Sequence, residues 1–230
     1  MDGLNNFLKR QTTDPKPQGH QELLKRYVCR SMTQEGLGKN DPMVVEQILE
    51  GKCEYSEENR DTLGFVKAYQ YLHELSQCDD AGLLDNNVIT EVQRILMYHR
   101  SHLCTVGKYS EKERLAEFEG KLHIYPKPLS TEKNMQMLID QYNHHWFTVN
   151  RLRTVDSRKA LEDLVNLTAW LVYTFLELHP FGDGSGRTIL LICTYVMESY
   201  GFPLQVSPML CSREETNGVG FYGMLHSRKI

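Results

Sequence analysis

Residues 178–188 read LHPFGDGSGRT, a polar, glycine-rich stretch set between two of the most apolar segments of the chain. Those segments, Ala160–Leu178 and Thr188–Tyr200, have the pattern of helices that are apolar nearly all round, so the loop joining them is expected at the centre of a core. Pro180 disfavours helical geometry at His179, and the first helix is expected to end there. Gly182, Gly184 and Gly186 free the backbone to turn successive N–H groups into one concavity, at a cost in chain entropy. The next helix adds its own unpaired N–H groups and the positive end of its dipole, which makes an anion site with phosphate as the usual guest. Arg187 stands at its edge, able to pair with a phosphate oxygen. Asp183 has the wrong sign for a phosphate unless a divalent cation lies between, which points to Mg²⁺. His179 is the one side chain of the stretch that takes a proton near neutral pH. A P-loop and a Rossmann turn both need a preceding strand, and the former also needs a Lys that is absent here. The plain alternative is an interhelical turn with a capping Asp. A base, a metal ligand and an anion nest within nine residues favour a site.

Upstream, residues 1–20 carry few apolar groups and two prolines, Pro15 and Pro17, and read as a flexible tail. Leu23, Leu24, Tyr27 and Val28 form one face of a helix from Gln21 to about Arg30. SMTQEGLGKNDP follows, after which Asp41-Pro42 caps a helix over Met43–Glu50 that Gly51 ends. Thr62–Cys78, Asn87 to about His102, and Thr131–Phe147 are further helices. Between Thr105 and Pro128 the rhythm breaks, and Lys121–Tyr125 (KLHIY) alternates polar and apolar residues. That pattern predicts a hairpin with Glu119-Gly120 near its turn. The fold class is therefore all-α with one small β-hairpin. The expected divisions are the tail, N-terminal helices over 21–60 and a core domain over 61–230.

A net charge of -4 and a pI near 6.1, with no run of Lys or Arg, speak against a nucleic-acid partner. Six scattered cysteines without a CxxC read as reduced thiols. His99, His102 and Cys104 are three conceivable zinc ligands without a closing partner, which is a weak signal. The uncharged run Leu164–Leu176 is thirteen residues, short of the ~17–25 that a membrane span needs. The polar opening is unlike a signal peptide, and a cytoplasmic location is expected.

His179-Pro180-Phe181-Gly182-Asp183-Gly184-Ser185-Gly186-Arg187 resembles the signature of the Fic (Fido) family, H-P-F-x-[DE]-G-N-G-R-x-x-R. GKYS at Gly107–Ser110, the hairpin ending in Tyr125-Pro126 and the NMQMLIDQYNHHW helix follow the order and spacing of that family's flap region. The resemblance covers roughly residues 21 to 225. It implies a helical core with a hairpin flap, and transfer of AMP from ATP to a hydroxyl of a target protein. His179 would be the base and Asp183 the Mg²⁺ ligand, with Gly182, Gly184, Ser185, Gly186 and Arg187 at the nucleotide. Lys121, Leu122, His123, Ile124 and Tyr125 would pair with an extended target segment carrying Ser, Thr or Tyr. A homodimer is compatible with this reading.

Ser31, Glu35 and Gly36 match the family's inhibitory pattern [ST]-x-x-x-E-[GN], in which a carboxylate repels the nucleotide's γ-phosphate. Two departures stand against ordinary activity. Ser185 replaces the motif's Asn, and Leu190 stands where the second Arg belongs, the Arg that binds the γ-phosphate and pairs with the inhibitory Glu. Ser110, where Arg often follows GxY, is a milder one. Removal of AMP by the same fold, with Glu35 orienting a water, and a catalytically weak binding module are the rival expectations.

Overall fold

The computed structural model describes residues 17–102, 104–118 and 121–204. Contacts divide the chain into two compact units, one formed by the described residues up to Leu63 and from Gly201, the other by Gly64–Tyr200.

In the first unit α1 spans Pro17–Glu35. It starts four residues before Gln21, because a proline is tolerated in a helix's first turn. It also runs past Arg30: Ser31 Oγ donates to the Tyr27 carbonyl and Thr33 Oγ1 to the Cys29 carbonyl, each at 2.8 Å. Leu24, Tyr27, Val28 and Met32 form its buried stripe. Gly36, at φ +64°, ends the helix, with Gly36 N–H bonded to the Thr33 carbonyl and Leu37 N–H to the Met32 carbonyl. This is a Schellman stop, which favours a residue without a side chain. Asp41 then caps α2, Pro42–Leu49, by accepting Met43 N–H at 2.8 Å. The first turn of α3, Arg60–Leu75, completes the described helices here.

The second unit holds the rest of α3, α4 (Asn86–Met97), a 3₁₀ turn (Tyr98–Arg100), the hairpin, α5 (Pro128–Leu152), α6 (Ser157–Leu178) and α7 (Ser185–Ser199). Asp85 caps α4 through Val88 N–H, and Asp156 caps α6 through Lys159 N–H. α6 packs on both α5 and α7, and α4 packs on α7. α7 is buried along most of its length, as its sequence implied. α6 instead leaves Val165 and Tyr173 exposed, so its apolar run includes one solvent face. Isolated apolar residues at a surface are ordinary.

The turn before α4 is held from two sides. Tyr142 OH donates to the Gly82 carbonyl, and Gly82 N–H donates to Tyr195 OH, both at 2.8 Å. Asn143 Oδ1 accepts Leu84 N–H while its Nδ2 donates to the Leu84 carbonyl, a reciprocal pair that substitutes for a strand partner. At the far end of α7, Tyr69 OH and His73 Nδ1 on α3 both meet the Glu198 carboxylate.

β1 (Leu115–Phe118) and β2 (Lys121–Ile124) pair antiparallel, with Leu115 opposite Ile124 and Phe118 opposite Lys121. The expected Glu119-Gly120 turn lies outside the described residues. Alternation places Leu115, Leu122 and Ile124 on one face, all more than half exposed. No other sheet occurs among the described residues.

Candidate active site

α6 stops where Pro180 forbids its continuation. His179 caps it in the left-handed region, φ +42° and ψ +61°, its N–H still bonded to the Phe175 carbonyl at 2.9 Å. Among the described residues it is the one non-glycine with positive φ. A strained backbone is kept only where surrounding contacts determine it, and they do so here. The Pro180 carbonyl accepts Ser110 N–H at 2.8 Å. Phe181 is fully buried against Tyr109 and Phe175. Its N–H donates to Ser185 Oγ at 3.2 Å, so the hydroxyl of Ser185 faces inward to the loop's own backbone.

Gly184 takes φ +81°, and a Cβ there would stand 2.9 Å from Met97 Cγ and Sδ. Asp183 Oδ1 accepts Gly184 N–H at 2.6 Å and lies 3.5 Å from Arg187 Nη2. Arg187 is only 2% exposed, with Nη2 also 3.2 Å from Met97 Sδ. The sequence places this cation at the edge of the anion nest; its guanidinium is buried there, within reach of the loop's carboxylate. Ser185, Gly186 and Arg187 form the first turn of the fifteen-residue α7, whose N-terminal N–H groups and dipole favour an anion.

The His179 imidazole stacks on Tyr125, centroids 4.2 Å apart and planes 19° from parallel. Burial first, and the nearby Arg114 guanidinium second, push its pKa down to about 4, against a smaller opposing pull from Asp183. The ring is therefore neutral at pH 7 and able to accept a proton. This state also couples to folding. The unfolded chain protonates near pH 6.5 while the folded loop resists down to about 4, so the stability is present above 6.5 and lost as pH falls through that window. Between pH 7 and 5 the unmodified protein is expected to lose about 2 kcal/mol more than His179→Asn in urea unfolding. Equal losses would remove the imidazole as the source.

Asp183 is the one carboxylate of the loop, and its side chain is 38% exposed. Both contacts above fall on Oδ1, so Oδ2 is the oxygen a cation would take. Mg²⁺ usually binds one or two carboxylates together with substrate phosphates and water, and this donor set fits a metal arriving with a nucleotide. Among the described residues no group of three His, Cys, Asp or Glu is arranged to hold a metal, His99, His102 and Cys104 included.

Two residues that sequence reasoning missed support the loop. Gln93, fully buried on α4, donates from Nε2 to the Asp183 carbonyl at 3.2 Å, and its Oε1 accepts Gly107 N–H at 2.6 Å. Its signal was a lone amide in the stripe Ile89, Val92, Leu96. Arg114, just before β1, gave no local signal. A cleft of about 730 Å³ lined by Asn86, Thr90, Tyr109, Ser110 and Glu132 adjoins the GKYS segment, but none of residues 179–187 lines it. Of the proposed flap residues, Leu122 and Ile124 are exposed, His123 is half-buried with its ring edge on Tyr125, and Lys121 pairs through its backbone. Ser31, Glu35 and Gly36 lie in the first unit, where Ser31 is buried and Glu35 exposed at the end of α1. Leu190 is half-buried on α7.

The family model described as the Fic/DOC family matches residues 83–197. A Fido domain-containing protein of Dictyostelium discoideum is 34% identical over 109 residues, 47% of this chain and 65% of that protein. A protein adenylyltransferase Fic of Nematostella vectensis is 26% identical over 147 residues, 64% of this chain and 30% of its own length. The chain thus spans less than two thirds of either relative. A Fic domain containing signaling protein from Bacteroides thetaiotaomicron superposes with a TM-score of 0.72 at 22% identity, covering 98% of this chain and 80% of that one. This last likeness bears on the fold.

Proposed function

Because the chain belongs to the Fic/DOC family, we propose that it transfers AMP from ATP to a hydroxyl side chain of a target protein. The observation that carries the reading is a neutral, stacked imidazole at His179, on the loop that feeds the N-terminus of α7. His179 takes the proton of a Ser, Thr or Tyr hydroxyl as its oxygen attacks the α-phosphorus of ATP. The bond from that phosphorus to the bridging oxygen breaks, and pyrophosphate leaves with its electron pair. N–H groups of Gly182, Ser185 and Gly186, with the Arg187 guanidinium, stabilise charge gathering on the phosphoryl oxygens. Mg²⁺, held by Asp183 and the phosphates, supplies charge neutralisation when bound. The hairpin aligns the target by main-chain pairing along Lys121–Tyr125.

Incubation of the protein and a cell extract with α-labelled ATP tests the proposal, label appearing on protein. Asp183→Ala is expected to weaken ATP binding in Mg²⁺ and leave it nearly unchanged in EDTA. The same loss in both solutions would make Asp183 a cap for Gly184 alone. A second reading, a nucleotide-binding module without transfer, is favoured by Leu190 and by the inward-turned Ser185 hydroxyl; ATP binding without labelling would establish it. AMP release from a pre-AMPylated target would indicate the reverse reaction. The Ser31–Gly36 pattern adds autoinhibition to the proposal. Glu35→Gly should raise labelling only modestly, because Leu190 offers no guanidinium to release.

A further inference from the structure

Arg114 is 5% exposed. Its guanidinium donates to the Ser110 carbonyl at 3.4 Å, to the Pro126 carbonyl, and from both terminal nitrogens to Thr131 Oγ1 at 3.2 Å. Its own carbonyl accepts Tyr125 N–H at 3.1 Å. One residue thereby grips the chain entering the hairpin, the chain leaving it and the first turn of α5. Every acceptor is neutral, and Nε is buried without a partner. Burying a cation on neutral acceptors is unfavourable, and an apolar side chain of similar length serves stability at least as well. Stability alone therefore does not account for the residue; what an apolar side chain could not do is reach three separate acceptors with one planar fork and so fix where the hairpin's ends lie.

The contacts continue to the loop. Tyr125, fixed by Arg114 on its backbone and by Pro126 next along the chain, lays its ring on the His179 imidazole at 4.2 Å. We propose that Arg114 is a positioning residue for His179: by tying both ends of the hairpin it holds Tyr125 against the imidazole and sets the plane in which His179 meets the substrate hydroxyl. This rests on His179 being the base. The same guanidinium disfavours a proton on the ring, which keeps its lone pair available at the moment of attack.

Proton NMR of the full chain, labelled on histidine, reads the stacking directly. Two imidazoles meet the Tyr125 ring, His179 stacked on its face and His123 edge to face. The His179 signal, expected upfield, is the one that vanishes in His179→Asn, and it is the reporter. Tyr125→Leu returns it to the position of an unstacked histidine. Arg114→Met is expected to do the same with Tyr125 intact, and Thr131→Val, a smaller change that removes two of the guanidinium's bonds, to move it part of the way. Arg114→Lys keeps the charge but lacks the planar fork, and is expected to leave the signal downfield of its position in the unmodified protein. With α-labelled ATP, Arg114→Met should lower kcat roughly 10- to 100-fold with KM for ATP nearly unchanged. Folded Arg114→Met or Thr131→Val protein that keeps the upfield signal overturns the proposal. If the unmodified protein transfers no label, the base role of His179 falls, while the signal still shows whether Arg114 positions the ring.

Discussion

Replacing His179 with Asn is expected to lower label transfer from ATP by roughly 10²- to 10⁴-fold, the range a positioned general base contributes. Asn is the sharper substitution here. His179 sits at φ +42°, where Asn is tolerated and Ala is strained, so Asn removes the base without asking the backbone to move. ATP affinity should stay close to that of the unmodified protein, because the proposed nucleotide contacts belong to residues 182–187. The loss then falls in kcat. Transfer within a few-fold of the unmodified protein would take the base role from His179, and with it the observation on which the proposed reaction stands.

Gly82→Ala should produce the largest loss of stability from a single added methyl. Its Cβ would fall 2.0 Å from the Trp146 ring, which is itself 2% exposed and has no room to retreat, and the backbone holds φ +87°. Overpacking and left-handed strain together make a cost of about 3–5 kcal/mol. In a chain of this size that is a fall in Tm of roughly 10 °C. Gly51→Ala is the matched control: φ is +69° but nothing lies within 4 Å of the added carbon. It carries the strain without the collision, about 1 kcal/mol. Equal costs at the two positions would mean that Trp146 yields, and that the turn before α4 is softer than its hydrogen bonds to Tyr142 and Tyr195 imply.

Features that depend on near neighbours were legible in the residues. Alternation over Lys121–Tyr125 marked the strand, which ends one residue sooner at Ile124; Asp41-Pro42 marked the start of α2, and Pro180 the end of α6. The motif loop was found for the same reason, since its residues lie within nine positions. What escaped depends on partners far along the chain. That Arg187 is buried is not legible until Met97, ninety residues earlier, is seen beside it. Ser185 reads as a short stand-in for Asn, and only the fold turns its hydroxyl to Phe181. Arg114 has no periodicity to betray it, because its acceptors come from a loop, a proline and a helix.

If residues 182–187 hold the nucleotide as proposed, the Asp183 carboxylate, bonded to Gly184 N–H and near Arg187, is a tethered competitor for that site. Being part of the same chain, it faces those donors at an effective concentration in the millimolar range or above. A stray chloride or sulfate would have to displace it without offering the carboxylate a new partner. A triphosphate arriving with its own cation would exchange several contacts at once and give the carboxylate a new partner as it left the old ones. On the proposed function the loop would thus favour a metal-bound triphosphate over a simple salt that carries charge but brings no cation.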